Sequence, residues 1–295
     1  MGGSTSQADV TLIKSAHRFL KNKIATLCLG FLAVLTAFAV LAPVVTRHSY
    51  EEQNIESKLQ TPSIEHWMGT DTLGRDLYSR IVYGARMSLA VGVVTAVFAL
   101  LLGTVTGALA GYFGGWIDRV LMSVVDFFYI FPSLLMAILL MMVLGRGFFG
   151  IFLALGTVSW VTQARLVRGQ VLQAREMPYV EAARALGVKT GAIIFKHILP
   201  NLWGPIIVSL TFQIPNNIMA ESFLSFIGLG IQPPYSSWGT LAAEGFRGMR
   251  SFPHLILFPG CALFFTMLAF NFLGDGLRDW LDPKDATGSV DSVRN

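Results

Sequence analysis

The sequence predicts an all-α, polytopic membrane protein with about six transmembrane helices. Of its 295 residues, 53% are hydrophobic and only 14% are charged, and the mean hydropathy is +0.58, which is too apolar for a soluble domain of this size. About 20 apolar residues rising 1.5 Å each match a hydrocarbon core of about 30 Å. Six windows approach that length, so we expect lipid to surround much of the chain.

The six apolar windows are separated by tight turns or by polar loops. The first is long and lacks a small-residue cleavage site, so we interpret it as a retained anchor and not as a cleaved signal peptide. The third contains Pro132, which should kink the helix. The windows run from Ile24 to Val45, Met87 to Gly111, Val120 to Leu144, Phe148 to Val167, Leu202 to Leu229 and Leu255 to Leu273.

The charged residues between the windows predict the orientation of the chain. Fourteen of the 22 Lys and Arg residues lie on the side that would hold both termini, and cytoplasmic loops retain positive charge. Both termini are therefore predicted to be cytoplasmic. The predicted division is a cytoplasmic segment at 1–23, a first helix at 24–45, a periplasmic loop at 46–86, a five-helix core at 87–280 with a cytoplasmic loop at 166–201, and a cytoplasmic tail at 281–295.

The sequence offers little for catalysis or cofactor binding. It lacks a G-x-x-x-x-G-K-[ST] loop, and its one G-x-G-x-x-G stretch, Gly145 to Gly150, joins two apolar helices instead of following a strand. The net charge of +4 gives no reason to expect nucleic acid. No catalytic, cofactor-binding or metal site is predicted, because the histidines are scattered and lack an acidic companion at ligand spacing. They are His17, His48, His66, His197 and His254.

The loop at 166–201 carries the most informative motif of the chain. It contains Glu181-Ala182-Ala183-Arg184-Ala185-Leu186-Gly187, then nine residues, then His197-Ile198-Leu199-Pro200. A proline suited to a first helical turn and the alanines after it predict a short helix from Pro178 to Leu186, which Gly187 should end. An ordinary Ala-rich amphipathic loop is the alternative interpretation.

This motif resembles the E-A-A-x-x-x-G-x(9)-I-x-L-P loop of bacterial ABC import permeases. The histidine at 197 and three further segments resemble the dipeptide, oligopeptide and nickel branch of that family. The segments are His66 to Asp76, in which Trp67 replaces the usual proline, Glu221 to Gly239, and Gly274 to Pro283. The resemblance implies that the loop docks on an ATPase through Glu181, Ala182, Ala183, Gly187, Leu199 and Pro200.

The same resemblance implies the rest of the assembly. It implies a methionine-transporter-like core in the inner membrane of a bacterium, a second related permease, two cytoplasmic ATPase subunits that bind ATP and Mg²⁺, and an external binding protein. Peptides are the first expectation for the substrate, followed by nickel chelates or other small solutes. An ion-coupled secondary transporter and a non-transporting structural subunit are the alternatives, and neither explains the loop motif.

The fifth window has a polar side. Ser209, Gln213, Asn216 and Asn217 fall on one side of a 3.6-residue helix, together with Ala220. Because polar groups within a bilayer face the bundle interior or a water-filled cavity, we predict that these four residues line the translocation pathway. A hydrogen-bonded seam between helices remains the alternative.

The second window carries a glycine at every fourth position. Gly103, Gly107, Gly111 and Gly115 form a narrow stripe, and such small-residue stripes let helix backbones approach closely in lipid. We expect this stripe to pack against another helix and prefer this interpretation to a flexible hinge.

Overall fold

Helices account for nearly all the regular structure of the protein. The computed structural model describes residues 22–281, and no β-strand occurs among them. Five helices are long and apolar enough to cross a membrane, and one bent pair would make a sixth span. The all-α prediction is confirmed. Most of the predicted segments 1–23 and 281–295 lies outside the described residues.

The helices are numbered in chain order. They are α1 (Lys23–Val40), α2 (Ala42–Val45), α3 (Leu77–Phe113), α4 (Gly115–Ile130), α5 (Ser133–Leu144), α6 (Phe148–Ala174), α7 (Pro178–Ala185), α8 (Thr190–Ala192), α9 (Leu199–Phe226), α10 (Trp238–Gly248) and α11 (His254–Leu281), with a π-helical stretch at Ile193–Ile198 between α8 and α9.

Two helices extend well beyond the predicted windows. Helix α3 begins at Leu77, so the last ten residues of the predicted loop at 46–86 are helical. Arg80 and Arg86 lower the hydropathy of this stretch, yet Arg80 is buried because Asp71 and Glu244 pair with it. Helix α6 continues to Ala174 and a new helix starts at Thr190, which shortens the irregular part of the predicted loop at 166–201.

The third predicted helix is broken instead of kinked. Helices α4 and α5 meet at an angle of 92°. Pro132 lacks the N–H that would continue α4, and Phe131 before it takes an extended conformation with φ −80° and ψ 139°, as residues before proline prefer. The position of the disruption is as predicted, and its angle is much larger than a kink.

Helices α3 and α6 pack along the glycine stripe. A Cβ atom on Gly107 would stand 2.4 Å from the carbonyl oxygen of Ala164, and one on Gly103 or Gly111 would stand 2.7 or 2.8 Å from atoms of α6. The packing prediction is confirmed for these three glycines and wrong for Gly115, which begins α4 and would meet nothing within 4 Å.

Helix α1 lies at the edge of the bundle and packs against α11. Leu32 contributes to a buried cluster with Ala269 and Leu273, and a Cβ atom on Gly276 would lie 2.3 Å from that of Ala25. Most of the remaining side chains of α1 are exposed, as expected of a peripheral helix that faces lipid.

Candidate functional site: an exposed loop and a polar cleft

The predicted docking loop forms a short helix with defined ends. Helix α7 starts with Pro178 in its first turn after the extended Met177, and the acidic Glu181 lies in that first turn. Both features suit a helix N-terminus, where proline loses no hydrogen bond and a carboxylate faces the positive end of the helix dipole. The predicted helix is confirmed to within one residue.

Helix α7 ends in a Schellman motif. The amide of Gly187 donates to the carbonyl of Arg184 at 3.0 Å, and that of Val188 donates to the carbonyl of Ala183 at 3.1 Å. This pattern places the residue after the cap in the left-handed region, and Gly187 has φ +73°. The turn predicted at Gly187 is therefore present.

The six residues of the predicted docking motif divide into two groups. Ala183 and Leu199 are buried in a cluster with Val180, Ile194 and Leu202, so they hold the loop against α6 and α9. Glu181, Ala182, Gly187 and Pro200 are exposed. Only this second group can meet a partner directly.

The exposed side of α7 also carries apolar side chains that the motif did not point to. Leu186 is 83% exposed and Tyr179 is 41% exposed. Single exposed apolar side chains are common on protein surfaces, so Leu186 and Tyr179 mark the surface of the loop without identifying a partner. Leu186 is part of the motif segment, but nothing in its spacing distinguished it from a buried leucine.

Ion pairs and hydrogen bonds tie the loop to the helices before it. The Arg175 guanidinium, at the end of α6, donates to the carbonyl of Gly111 on α3 at 3.1 Å. About two turns earlier, Arg168 binds Asp118 of α4 through two hydrogen bonds of 2.6 Å, and Arg165 pairs with Asp126 at 2.5 Å. These contacts join the end of α6, just before α7, to α3 and α4.

A polar cleft of about 420 Å³ lies between α6, α9 and the start of α5. The predicted residues Ser209, Gln213, Asn216 and Asn217 all line it, as do Ser159, Thr162 and Gln163 of α6 and Ser133 at the start of α5. The sharp bend between α4 and α5 is what brings Ser133 to the cleft. The aromatic Phe212 of α9 also borders it.

The same polar side chains form hydrogen bonds between α6 and α9. Ser209 donates to Gln163 at 2.8 Å, and Gln213 donates to the carbonyl of Ser159 at 2.9 Å. Asn217 is 3% exposed and accepts from the hydroxyl of Ser159 at 2.8 Å. The side chains predicted to line a pathway therefore also form a hydrogen-bonded seam between the two helices. Of the four predicted residues, Asn216 is the exposed one.

A network of ion pairs lies at the end of the bundle opposite to α7. Asp71 accepts from Arg75 at 2.7 Å and from Arg80 at 2.6 Å, and Arg80 also binds Glu244 of α10 at 2.6 Å. Gly74 permits the turn, because a Cβ atom there would lie 1.7 Å from the carbonyl oxygen of Asn54. The segment from His66 to Asp76 is therefore a rigid cap on α3 and α10.

Two histidines and an aspartate come together beside this cap. His48, His66 and Asp76 each offer a ligand atom within 4.8 Å of the other two. The fold thus brings together residues that are scattered along the sequence, while the prediction that the chain has no metal site stays a prediction. Spacing along the chain could not show this trio, because the loop from 46 to 76 folds back on itself.

Comparison with known proteins agrees with this geometry. Residues 103–285 match the family described as binding-protein-dependent transport system inner membrane component, and residues 11–62 match the N-terminal TM domain of oligopeptide transport permease C. The chain is 43% identical to an oligopeptide transport system permease protein of Bacillus subtilis, over 95% of this chain and 92% of that protein.

Other relatives carry different substrate names. A dipeptide transport system permease protein of Bacillus subtilis is 47% identical over 91% of this chain and 84% of its own length. A glutathione transport system permease protein of Pectobacterium atrosepticum is 41% identical over 91% of this chain and 89% of its own.

A solved structure shares the fold. The inward-facing MetNI methionine ABC transporter superposes with a TM-score of 0.57 at 19% identity, over 70% of this chain and 98% of that chain. The predicted methionine-transporter-like core is therefore confirmed. With a family match over more than half of its length and such relatives along nine tenths of it, the chain belongs to the binding-protein-dependent transport system inner membrane components and is a permease subunit of an ABC importer.

Proposed function

We propose that this permease forms, with a second related permease, the pathway by which peptides cross the inner membrane. Permeases of ABC importers work with a second permease, ATPases and a binding protein. For this chain we propose two cytoplasmic ATPase subunits, which carry the ATP and Mg²⁺, and an external binding protein that delivers the substrate.

The observation that carries the proposal is the α7 knob, defined as residues 178–188. Its helix starts at Pro178 and ends in a Schellman motif, its inner side is packed against α6 and α9, and its outer side presents Glu181, Ala182 and Leu186. A small, rigid and exposed projection of this kind suits insertion into a groove on another subunit. Closure of the ATPase pair would then move α7 and, through Arg175 and Arg168, the helices around the cleft.

Peptides are the proposed substrates on two grounds. Relatives above 40% identity are named for oligopeptide, dipeptide and glutathione transport. The cleft of this chain presents amide and hydroxyl groups, and the exposed ones belong to Asn216, Ser133 and Thr162. Such groups exchange hydrogen bonds with a peptide backbone whatever its side chains are.

The proposed orientation places the knob and both chain termini in the cytosol. The charge asymmetry supports it, and α7 lies at the opposite end of α3 from the cap at 66–76. Reporter fusions should report Glu181 and Asp285 as internal and Glu52 and Trp238 as external, although Asp285 lies outside the described residues. An internal Glu52 would overturn the orientation and the docking proposal with it.

The docking proposal can be tested by co-purification in mild detergent. The ATPase subunits should accompany the wild-type permease and be lost from Glu181→Lys, which places a positive charge on the exposed first turn of α7. Lys196→Glu is the control, because Lys196 is exposed near the knob but lies on the π-helical stretch. Full retention of ATPase by Glu181→Lys would contradict docking through α7.

A further inference from the structure

The trio of His48, His66 and Asp76 lies in a part of the molecule that the transport mechanism does not use. His48 follows α2 at the end of the peripheral helix, His66 lies in the loop, and Asp76 is the N-cap of α3. The two imidazole rings have centroids 4.7 Å apart. His66 and Asp76 are 8% and 4% exposed.

Asp76 is held so that one oxygen faces the histidines. Its Oδ2 accepts from the amide and the hydroxyl of Ser79, both at 2.8 Å. Its Oδ1 lies 2.9 Å from Nδ1 of His66. The helix end therefore orients the carboxylate, as second-shell hydrogen bonds orient the ligands of metal sites.

The histidines retain capacity to bind a further group. His66 uses Nδ1 toward Asp76, and His48 uses Nε2 in a long contact of 3.3 Å to the carbonyl of Glu65. An ion bound by both Oδ1 of Asp76 and His66 would replace the hydrogen bond at Nδ1, since a ligand nitrogen must lose its proton, and His48 still has Nδ1 outside its contact. A plain buried His–Asp pair would need His66 alone, and His48 adds a ring contact with His66 and a long contact to the carbonyl of Glu65.

The trio opens into a cavity with further oxygen donors. The cavity encloses about 190 Å³ and is also lined by Glu52, Glu65 and Asn54. This volume holds an ion with bound water, since one water occupies about 30 Å³ of liquid. Two exposed carboxylates at its rim would attract a cation toward the histidines.

We propose that His48, His66 and Asp76 form a binding site for a divalent transition-metal ion of the Zn²⁺ class. Imidazole favours zinc and its neighbours over calcium and magnesium. Ligand atoms about 2.0–2.2 Å from Zn²⁺ lie about 3.3 Å apart in a tetrahedral site, so separations of up to 4.8 Å within the trio must shorten by up to about 1.5 Å on binding. The bound ion would fasten the chain after α1 to the N-terminus of α3.

The test uses the full-length permease, purified in detergent with a tag that contains no histidine and treated with a chelator. Titration with Zn²⁺ should show one site by calorimetry, and Co²⁺ should give visible absorption bands of nitrogen ligation. His48→Ala should weaken Zn²⁺ binding at least about tenfold and remove the Co²⁺ bands. His197→Ala, on the far side of the bundle, should leave both unchanged.

A second variant distinguishes the loss of a metal ligand from the loss of the folded structure. Asp76→Asn keeps an oxygen that can accept from Ser79, so α3 stays capped, but it removes the ligand charge and should also weaken Zn²⁺ binding at least about tenfold. The proposal is overturned if the wild-type chain binds no Zn²⁺, or if stoichiometric binding survives both His48→Ala and Asp76→Asn. None of these measurements depends on peptide transport, so their outcome is independent of the proposed function.

Discussion

Replacing Gly187 by valine should uncouple transport without removing the permease from the membrane. Gly187 has φ +73° in the Schellman motif of α7, and the left-handed conformation costs an ordinary L-residue roughly 1–2 kcal/mol. A Cβ atom there would meet nothing within 4 Å, so the penalty is conformational and not steric. The knob conformation should become about 5–30 times less favoured relative to its alternatives.

The assay is ATP hydrolysis by the reconstituted complex with and without loaded binding protein. Gly187→Val should abolish most of the stimulation while the amount of permease stays near normal, because the residue lies outside the bundle. Gly187→Asn is the matched control, since asparagine tolerates the left-handed region, and it should retain most of the stimulation. Equal behaviour of the Val and Asn variants would refute the conformational argument.

Three further predictions concern the cleft and the packing. A cysteine at Asn216 should react with a small hydrophilic thiol reagent, because this position is exposed and borders the cleft. Gly107→Val should destabilise the permease by about 1–3 kcal/mol in thermal unfolding, since it forces α3 away from α6. Arg80→Met should cost about 3 kcal/mol in the same measurement, because it leaves the buried Asp71 with one cation fewer.

Each of these predictions has a control on the same chain. The thiol experiment requires a background without Cys28 and Cys261, and a cysteine at Leu210 should stay unreactive. Gly30→Ala should leave thermal unfolding unchanged, because a Cβ atom on Gly30 meets nothing within 4 Å. Arg247→Met should be neutral because Arg247 is exposed. If a test variant and its control showed the same thiol reactivity or the same change in thermal unfolding, the role assigned to that residue would be contradicted.

Local sequence signals predicted much of the fold and of the loop. The glycine period placed three residues of α3 against α6, and Pro178 and Gly187 marked the ends of α7 to within one residue. These features depend on backbone geometry that only a few residue types satisfy. These features can therefore be predicted from the sequence without knowledge of the tertiary structure.

Features that depend on distant partners were not predictable in this way. Hydropathy missed the first ten residues of α3 because the charge of Arg80 is compensated by Asp71 and by Glu244, 164 residues away. The proline rule located the break at Pro132 but could not give its angle of 92°. The approach of His48 to His66 and Asp76 depends on the folding of a whole loop.

ATP hydrolysis by docked subunits should drive peptide through this permease. Uptake of a labelled tripeptide can be measured in proteoliposomes that contain both permeases and the ATPases, with loaded binding protein outside. We predict uptake that requires ATP inside, persists when ion gradients are collapsed, and is lost with Glu181→Lys at an unchanged permease content. Uptake driven by an ion gradient without ATP, or undiminished uptake by the Glu181→Lys complex, would contradict the account.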